Sequence, residues 1–352
     1  MTMTLQPKTA RADELAAFVA GTDWRDADIR PLAGDASNRR YLRLAGKAGP
    51  AVLMDAPPDK GEDVRPFIAV TEWLRAQCLS APQIFAQDAD RGFLILEDLG
   101  DALFAAHLRN KPQDEQQLYG RAIETLAQIA QAGAPRSLGQ ARQPLASYDA
   151  AVLRREAALF IEWWMPAATG TPLSADLQAA YTELVDAAVA PFADARDVVV
   201  LRDYHAENLL WLPERGGTAA VGLLDYQDAL AGHPAYDLMS LLEDARRPTS
   251  DALQRAMIER YLSLSPSVDG DEFRHAYAAL GAARNLKIVG IFARLALRDG
   301  KPRYLDLIPH VWTHVQRDLT HPALAALSAW VARHAPDPDA AALARVAAKV
   351  PS

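Results

Sequence analysis

The chain of 352 residues holds a single cysteine, Cys78. One thiol cannot build an intramolecular disulfide framework, and such scarcity suits a reducing compartment. No apolar run reaches the roughly 18 residues that a membrane-spanning helix needs, so no membrane partner is expected. The opening stretch, MTMTLQPKTARADELAAF, has no uninterrupted apolar core followed by a small-residue cleavage site. A secretory signal is therefore not expected, and the cytoplasm is the expected location. Positive charge is also short: 37 Lys and Arg against 45 Asp and Glu leave a net charge of −8. A nucleic-acid surface needs clustered cations to displace phosphate counterions, so nucleic acid is not an expected partner. An anionic small substrate is not excluded, because a pocket can be locally basic within an acidic protein. No G-x-x-x-x-G-K-[ST] segment occurs, and the eight histidines show no H-E-x-x-H spacing. P-loop chemistry and zinc hydrolysis both lack their residues.

What is present is globular: 50% hydrophobic and 23% charged residues, without repeats or low-complexity segments. The length exceeds one ordinary core and favours two lobes. A short amphipathic helix is expected over 10–21. β-type runs follow at 29–32, 40–44, 51–54, 83–87 and 93–96, separated by Gly, Asp and Pro clusters that suit antiparallel strands. A helical pattern over 65–77, with Phe67, Val70, Trp73 and Leu74 on one stripe, interrupts them. Beyond residue 101 helical patterns dominate, at about 115–131, 148–165, 174–191, 235–246, 250–262, 271–298, 303–318 and 322–334. A β-loop-β region over 198–224 is the exception. The expected class is α+β, with a small antiparallel sheet lobe over 1–97, a junction at Glu97-Asp98-Leu99-Gly100, and a mostly helical lobe over 98–352.

The most informative stretch is VVVLRDYHAENLLW, residues 198–211. A wholly apolar run enters a polar loop holding Asp203 and Asn208, then returns to an apolar run. Seventeen positions after Asn208, the run Val221-Gly-Leu-Leu224 ends in Asp225. Carboxylates at the ends of buried strands must be paired, and a Mg²⁺ ion serving phosphoryl transfer would satisfy them. Five positions separate Asp203 from Asn208, so one rigid loop can present both. Asp203 would accept the proton of a substrate hydroxyl. Asn208 would hold the metal through its side-chain carbonyl, and Asp225 would bridge metal and nucleotide phosphates. A lone D-x-x-x-x-N also suits turn-capping residues; the second strand ending in Asp225 favours chemistry.

LRDYHAENLL, then LLDYQDA, then GHPAYDLMSLL, in that order and spacing, resembles the aminoglycoside phosphotransferase and choline kinase branch of the protein-kinase-like superfamily. The resemblance implies a two-lobe fold, ATP and Mg²⁺. It places Asp237 as a brace for the catalytic loop rather than a chemical group. In the sheet lobe, GDASNRRYLRL resembles the family's nucleotide-covering loop, with Gly34 for backbone freedom and Ser37 and Asn38 as phosphate-facing donors. A simple hairpin turn accounts for that segment as well. The backbone near Glu97 and Leu99 would take the adenine edge.

Two departures stand out. Leu201 occupies a position where the family often has His, which bears on loop support. More seriously, the strand Ala51-Val-Leu-Met-Asp55 has no phosphate-binding lysine near Met54. Lys60, Arg40 or Arg43 must substitute; Arg43, on the second strand of the covering hairpin, serves either as that cation or as a solvated edge residue.

GDASNRRY, MDAPP with RPF, DYQDAL and GIFARLALRDGKPRYL further resemble a bacterial subfamily of sugar kinases. Its members phosphorylate the anomeric hydroxyl of N-acetylmuramate and N-acetylglucosamine in peptidoglycan recycling. For such an amino sugar, Glu162 offers a hydroxyl-reading carboxylate and Trp163 an aromatic face, although Trp163 and Trp164 point to different faces and one belongs to a core. The lactyl carboxylate of N-acetylmuramate calls for a cation. Arg284, Lys287, Arg294 and Arg298 recur at near-helical spacing; Arg294, between Phe292 and Leu295, is the candidate, against the alternative of a solvated face. Rival readings are another small-molecule kinase of this fold, acting on an aminoglycoside, a choline-like amine or homoserine, and a non-catalytic ATP-binding pseudokinase.

Overall fold

The computed structural model describes residues 8–32 and 38–351, so Gly34 and Ser37 lie outside the described residues. The chain divides into two compact units. The first is Met1–Leu103 with Arg136–Pro144 and Leu209–Asp228; the second is Phe104–Pro135, Leu145–Asn208 and Ala229–Ser352. Two later segments thus join the sheet-bearing unit, which a single cut at 97/98 would leave out.

In the first unit, the β-type runs form β1 (Asp28–Pro31), β2 (Arg40–Ala45), β3 (Ala51–Asp55), β4 (Ile84–Asp88) and β5 (Phe93–Glu97). They build one antiparallel sheet in the order β1-β2-β3-β5-β4. Period-two alternation sends Leu44, Ala51, Leu53, Phe93 and Ile95 to one face, where they meet Phe18 and Val19 of the helix Lys8–Ala20 and Trp24 after it. Phe18 stacks on Phe93 at 5.5 Å. Each Leu, Ile, Val or Phe of this core contributes about 1.5–3 kcal/mol on burial. Next to this core Asp55, fully buried, lies between two arginines. Arg11 donates to Oδ1 from Nη2 at 2.6 Å and Nε at 3.0 Å, and Arg40 donates to Oδ2 from Nε at 2.9 Å. A buried carboxylate without such forks would cost several kcal/mol. Met54, the neighbour of Asp55, is 1% exposed and paired with Tyr41 and Leu94.

The strand Leu209–Trp211 pairs antiparallel with Val221–Leu223 in the same unit. Leu99, Leu210 and Leu212 pack together there, with Leu103 and Leu224 half-buried against them.

In the second unit, the strand Val198–Val200 pairs antiparallel with Leu230–Gly232. This corrects the β-loop-β reading of 198–224: the runs on either side of the 201–208 loop do not pair with each other. The helix expected over 148–165 is also interrupted. It runs as Ala150–Leu159, a π-helical turn Phe160–Trp164, and Met165–Thr169. The longest helix, Gly270–Leu297, buries most of its length. It crosses the π turn closely enough that a Cβ on Gly290 would lie 2.3 Å from the Leu159 carbonyl carbon. Gly290→Ala is therefore expected to cost about 1–3 kcal/mol by overpacking backbone against backbone. A lowered denaturation midpoint is the readout; an unchanged midpoint would refute the close crossing. Among the described residues no helix is long and apolar enough to cross a membrane.

Candidate active site

In the second unit, the buried strand Val198–Val200 delivers the chain to Leu201, also buried, and then to an abrupt reversal. Arg202 has φ of 72°, a left-handed backbone that side chains with a Cβ rarely adopt. Two hydrogen bonds hold it. Asp237, near the start of the helix Ala235–Leu242, accepts from Leu201 N at 2.6 Å and from Arg202 N at 2.9 Å. Ser240, one turn on, donates to the Arg202 carbonyl at 3.2 Å. Burial pushes the Asp237 carboxyl up to about 7, against the lowering effect of the two backbone donors. The strain at Arg202 turns Asp203 outward, where its side chain is exposed while Tyr204, His205 and Ala206 after it are buried.

The loop closes on itself. Asn208 Nδ2 donates to the Asp203 carbonyl at 3.0 Å and lies 3.4 Å from His205 Nε2. With that nitrogen anchored, the free end of the Asn208 amide is its carbonyl oxygen, a hard donor of the kind Mg²⁺ takes. Because an amide nitrogen only donates, His205 Nε2 accepts and its proton sits on Nδ1. Burial lowers the His205 pKa, so the ring stays neutral.

In the first unit, Asp225 follows the strand Val221–Leu223 and has φ of 58°. Gln227 Nε2 donates to its Oδ1 at 3.0 Å, and Arg39 Nη2 lies 3.5 Å from the same oxygen. Arg39 also faces Glu62, with Nε 3.6 Å from Oε2, and its side chain is 11% exposed. Burial works against the charge of Arg39, but Tyr41, Asp225, Glu62 and Asp228 outweigh it and hold the guanidinium protonated. Among the described residues no three His, Cys, Asp or Glu side chains gather as a metal cage. The Asn208 amide oxygen and the Asp225 carboxylate are each hard oxygen donors of the type Mg²⁺ takes.

The other sequence candidates fall as follows. Arg43 is committed to two carboxylates: Nη1 donates to Asp101 at 3.0 Å, and Nη2 to Asp101 at 2.8 Å and Asp98 at 3.2 Å. Arg40 is committed to Asp55. Asn38 is exposed, with its N–H on Glu62 Oε1 at 3.2 Å and its amide on the Lys60 carbonyl at 3.3 Å. Glu97 accepts from Arg215 Nη2 at 2.6 Å, and its backbone N–H donates to the Gln83 carbonyl at 2.7 Å. Leu99 lies in the leucine cluster described above. Glu162 is exposed and Trp163 half-buried, whereas Trp164 is in the core.

The cavity that contains Asp203 belongs to the second unit. Arg202, His205, Arg284, Lys287, Ile288 and Phe292 line it, and neither Glu162, Trp163 nor Arg294 does. Arg294 is ten residues beyond Arg284, about 15 Å further along the same helix. Sequence reading missed Arg39 altogether. Its signal is the run Asn38-Arg-Arg-Tyr41, in which Arg39 stands next to Arg40, just before the strand Arg40–Ala45.

Comparison with known proteins places this geometry in context. The aminoglycoside phosphotransferase APH(2'')-Ib, solved with ADP bound, matches with a TM-score of 0.56 at 13% identity, covering 89% of this chain and 97% of that one. The fold is accordingly protein-kinase-like, a small antiparallel sheet unit and a mostly helical remainder. An N-acetylmuramate/N-acetylglucosamine kinase of Caulobacter vibrioides is 39% identical over 96% of this chain and 99% of its own length. A kinase of the same name from Pseudomonas aeruginosa is 35% identical over 82% of this chain and 83% of its own. The family model described as Phosphotransferase enzyme family matches residues 28–277. The chain belongs to that family.

Proposed function

We propose that this chain transfers the γ-phosphoryl group of ATP to the anomeric hydroxyl of N-acetylmuramate and/or N-acetylglucosamine, giving the sugar 1-phosphate in cytoplasmic cell-wall recycling. The near-full-length likeness to the Caulobacter vibrioides kinase carries the reading. The chain's own residues suit it. Asp203, outward on a braced loop, orients the hydroxyl and accepts its proton as the new O–P bond forms and the bond to the ADP leaving oxygen breaks. An anomeric hydroxyl is more acidic than an ordinary alcohol, so little basicity is asked of the carboxylate. Asn208 and Asp225 are the proposed metal ligands; bound Mg²⁺ would neutralise charge on the phosphates.

A loose phosphoryl-transfer transition state depends mainly on positioning and charge. Both favour Arg39, not Arg43, as the cation that replaces the missing strand lysine. Met54 is buried among apolar neighbours, while Arg39 stands beside Asp225 with its charge held by Glu62. Arg39→Ala is expected to weaken ATP·Mg²⁺ binding by about 10- to 100-fold, the worth of a charge-assisted hydrogen bond. Titration calorimetry checks this, with Arg43→Ala as the comparison. Equal losses in the two variants would reject the assignment.

The cavity beside Asp203 also separates this reading from an aminoglycoside acceptor. Aminoglycosides are polycations, and Arg202, Arg246, Arg284 and Lys287 line that cavity against Asp203 and Asp244. Incubation of the purified protein with ATP, Mg²⁺ and each sugar should yield a sugar 1-phosphate by ³¹P detection. ATP turnover without that product, or phosphate on another hydroxyl, would overturn the proposal.

A further inference from the structure

The cations around Asp203 are not alike in how their charge is met. Lys287 lies 2.8 Å from Glu156 Oε2, and Arg202 pairs with the other oxygen of the same carboxylate. Arg246 faces Glu207 at 3.1 Å. Arg284 differs. It is 8% exposed, its Nη2 donates to Ser240 Oγ at 2.7 Å, and its Nη1 is buried without a partner. Among the described residues no carboxylate lies within ion-pair distance of it. Asp237 acts on it through space, but the Asp237 oxygens are already taken by the Leu201 and Arg202 N–H groups.

A buried guanidinium without a counter-ion is costly, and the cost falls away when an anion enters. Its surroundings are prepared for one. Two other buried nitrogens of the same cavity, Arg202 Nε and His205 Nδ1, also lack partners. Arg202 Nε is an N–H donor whatever the pH, since a guanidinium keeps its protons. Two guanidinium donors without acceptors therefore face one cavity, which Asp203 also lines. Ser240 fixes the guanidinium, because its hydroxyl donates to the Arg202 carbonyl and accepts from Arg284.

We infer that Arg284 is a specificity-determining residue, which binds a carboxylate on the acceptor sugar and so favours N-acetylmuramate, through its lactyl group, over neutral N-acetylglucosamine. This rests on the amino-sugar reading above. Planar two-point pairing suits Arg better than Lys at such a position.

Two experiments test it. In steady-state kinetics with both sugars, Arg284→Gln should lower the ratio of kcat/KM for N-acetylmuramate to that for N-acetylglucosamine by about 10- to 100-fold, the range for a charge-assisted hydrogen bond. Arg284→Lys should restore part of the ratio. An unchanged ratio, with both sugars losing equally, would mean a structural role and overturn the inference. Should the variants fail to fold, calorimetry on the native enzyme decides: the methyl ester of N-acetylmuramate should bind at least about 10-fold more weakly than the free acid. Equal binding overturns the inference while leaving the kinase reading intact. If neither sugar gains phosphate, both fall together.

Discussion

Asp203→Asn is expected to lower kcat by about 10²- to 10⁴-fold, the usual contribution of a positioned general base. The substitution keeps the shape of the side chain and the exposed position on the loop. It removes only the ability to take a proton as the acceptor oxygen attacks. Affinity for ATP·Mg²⁺ should stay within about threefold, because the loss is confined to the transition state. Single-turnover measurements with saturating nucleotide isolate the step. An enzyme that still turns over at near the original rate would strip Asp203 of its role. The pseudokinase alternative makes a different prediction: no sugar phosphate from the native chain either.

Asp237→Ala should be nearly as damaging by another route. Asp237 touches no reacting atom in the proposed mechanism, yet it holds the Leu201 and Arg202 N–H groups at 2.6 and 2.9 Å. Alanine would leave two buried donors unpaired, at about 1–3 kcal/mol each. It would also release the left-handed Arg202 backbone, which costs about 1–2 kcal/mol to maintain. A catalytic group displaced by about 1 Å can lose about 10²-fold in rate. A fall in kcat of that order is therefore expected even at temperatures where the variant is fully folded, with partial recovery in Asp237→Asn, which keeps one acceptor. The same carboxyl makes stability depend on pH. Its folded-state pKa, about 7, lies above that of an unfolded aspartate. Its stabilising contribution is then complete below about pH 4 and lost as pH rises through about 7. Asp237→Asn should flatten that decline; a wild-type curve already flat over this range would contradict the assigned environment.

The sheet and the loop were the most legible parts of the sequence. β1 to β5 form within a residue or two of the β-type runs, because Gly, Asp and Pro clusters mark where each run ends. The polar loop at 203–208 stood out because polar residues between wholly apolar runs are expensive to fold without purpose. Pairing was less legible. A run such as Val198-Val-Val200 carries no record of its partner, so only tertiary structure assigns it to Leu230–Gly232. The amino-sugar candidates Glu162 and Trp163 were read from a continuous helix. The π turn Phe160–Trp164 holds both of them, and the helical phase there departs from the 3.6-residue period that the sequence pattern assumes. For the cations, near-helical spacing marks Arg284, Lys287, Arg294 and Arg298, and apolar neighbours in the sequence favour Arg294. What separates them is burial and unmet hydrogen bonding, properties that spacing does not encode.

Met54 has a practical consequence for chemical biology. Acyl-phosphate nucleotide reagents tag many kinases by acylating the amine nearest the bound triphosphate. On β3 this chain presents a thioether instead, and the guanidinium proposed in its stead is delocalised and not a nucleophile. Proteome surveys built on that labelling chemistry would pass over the strand, and an inhibitor designed to capture a strand amine covalently would find nothing there to react with.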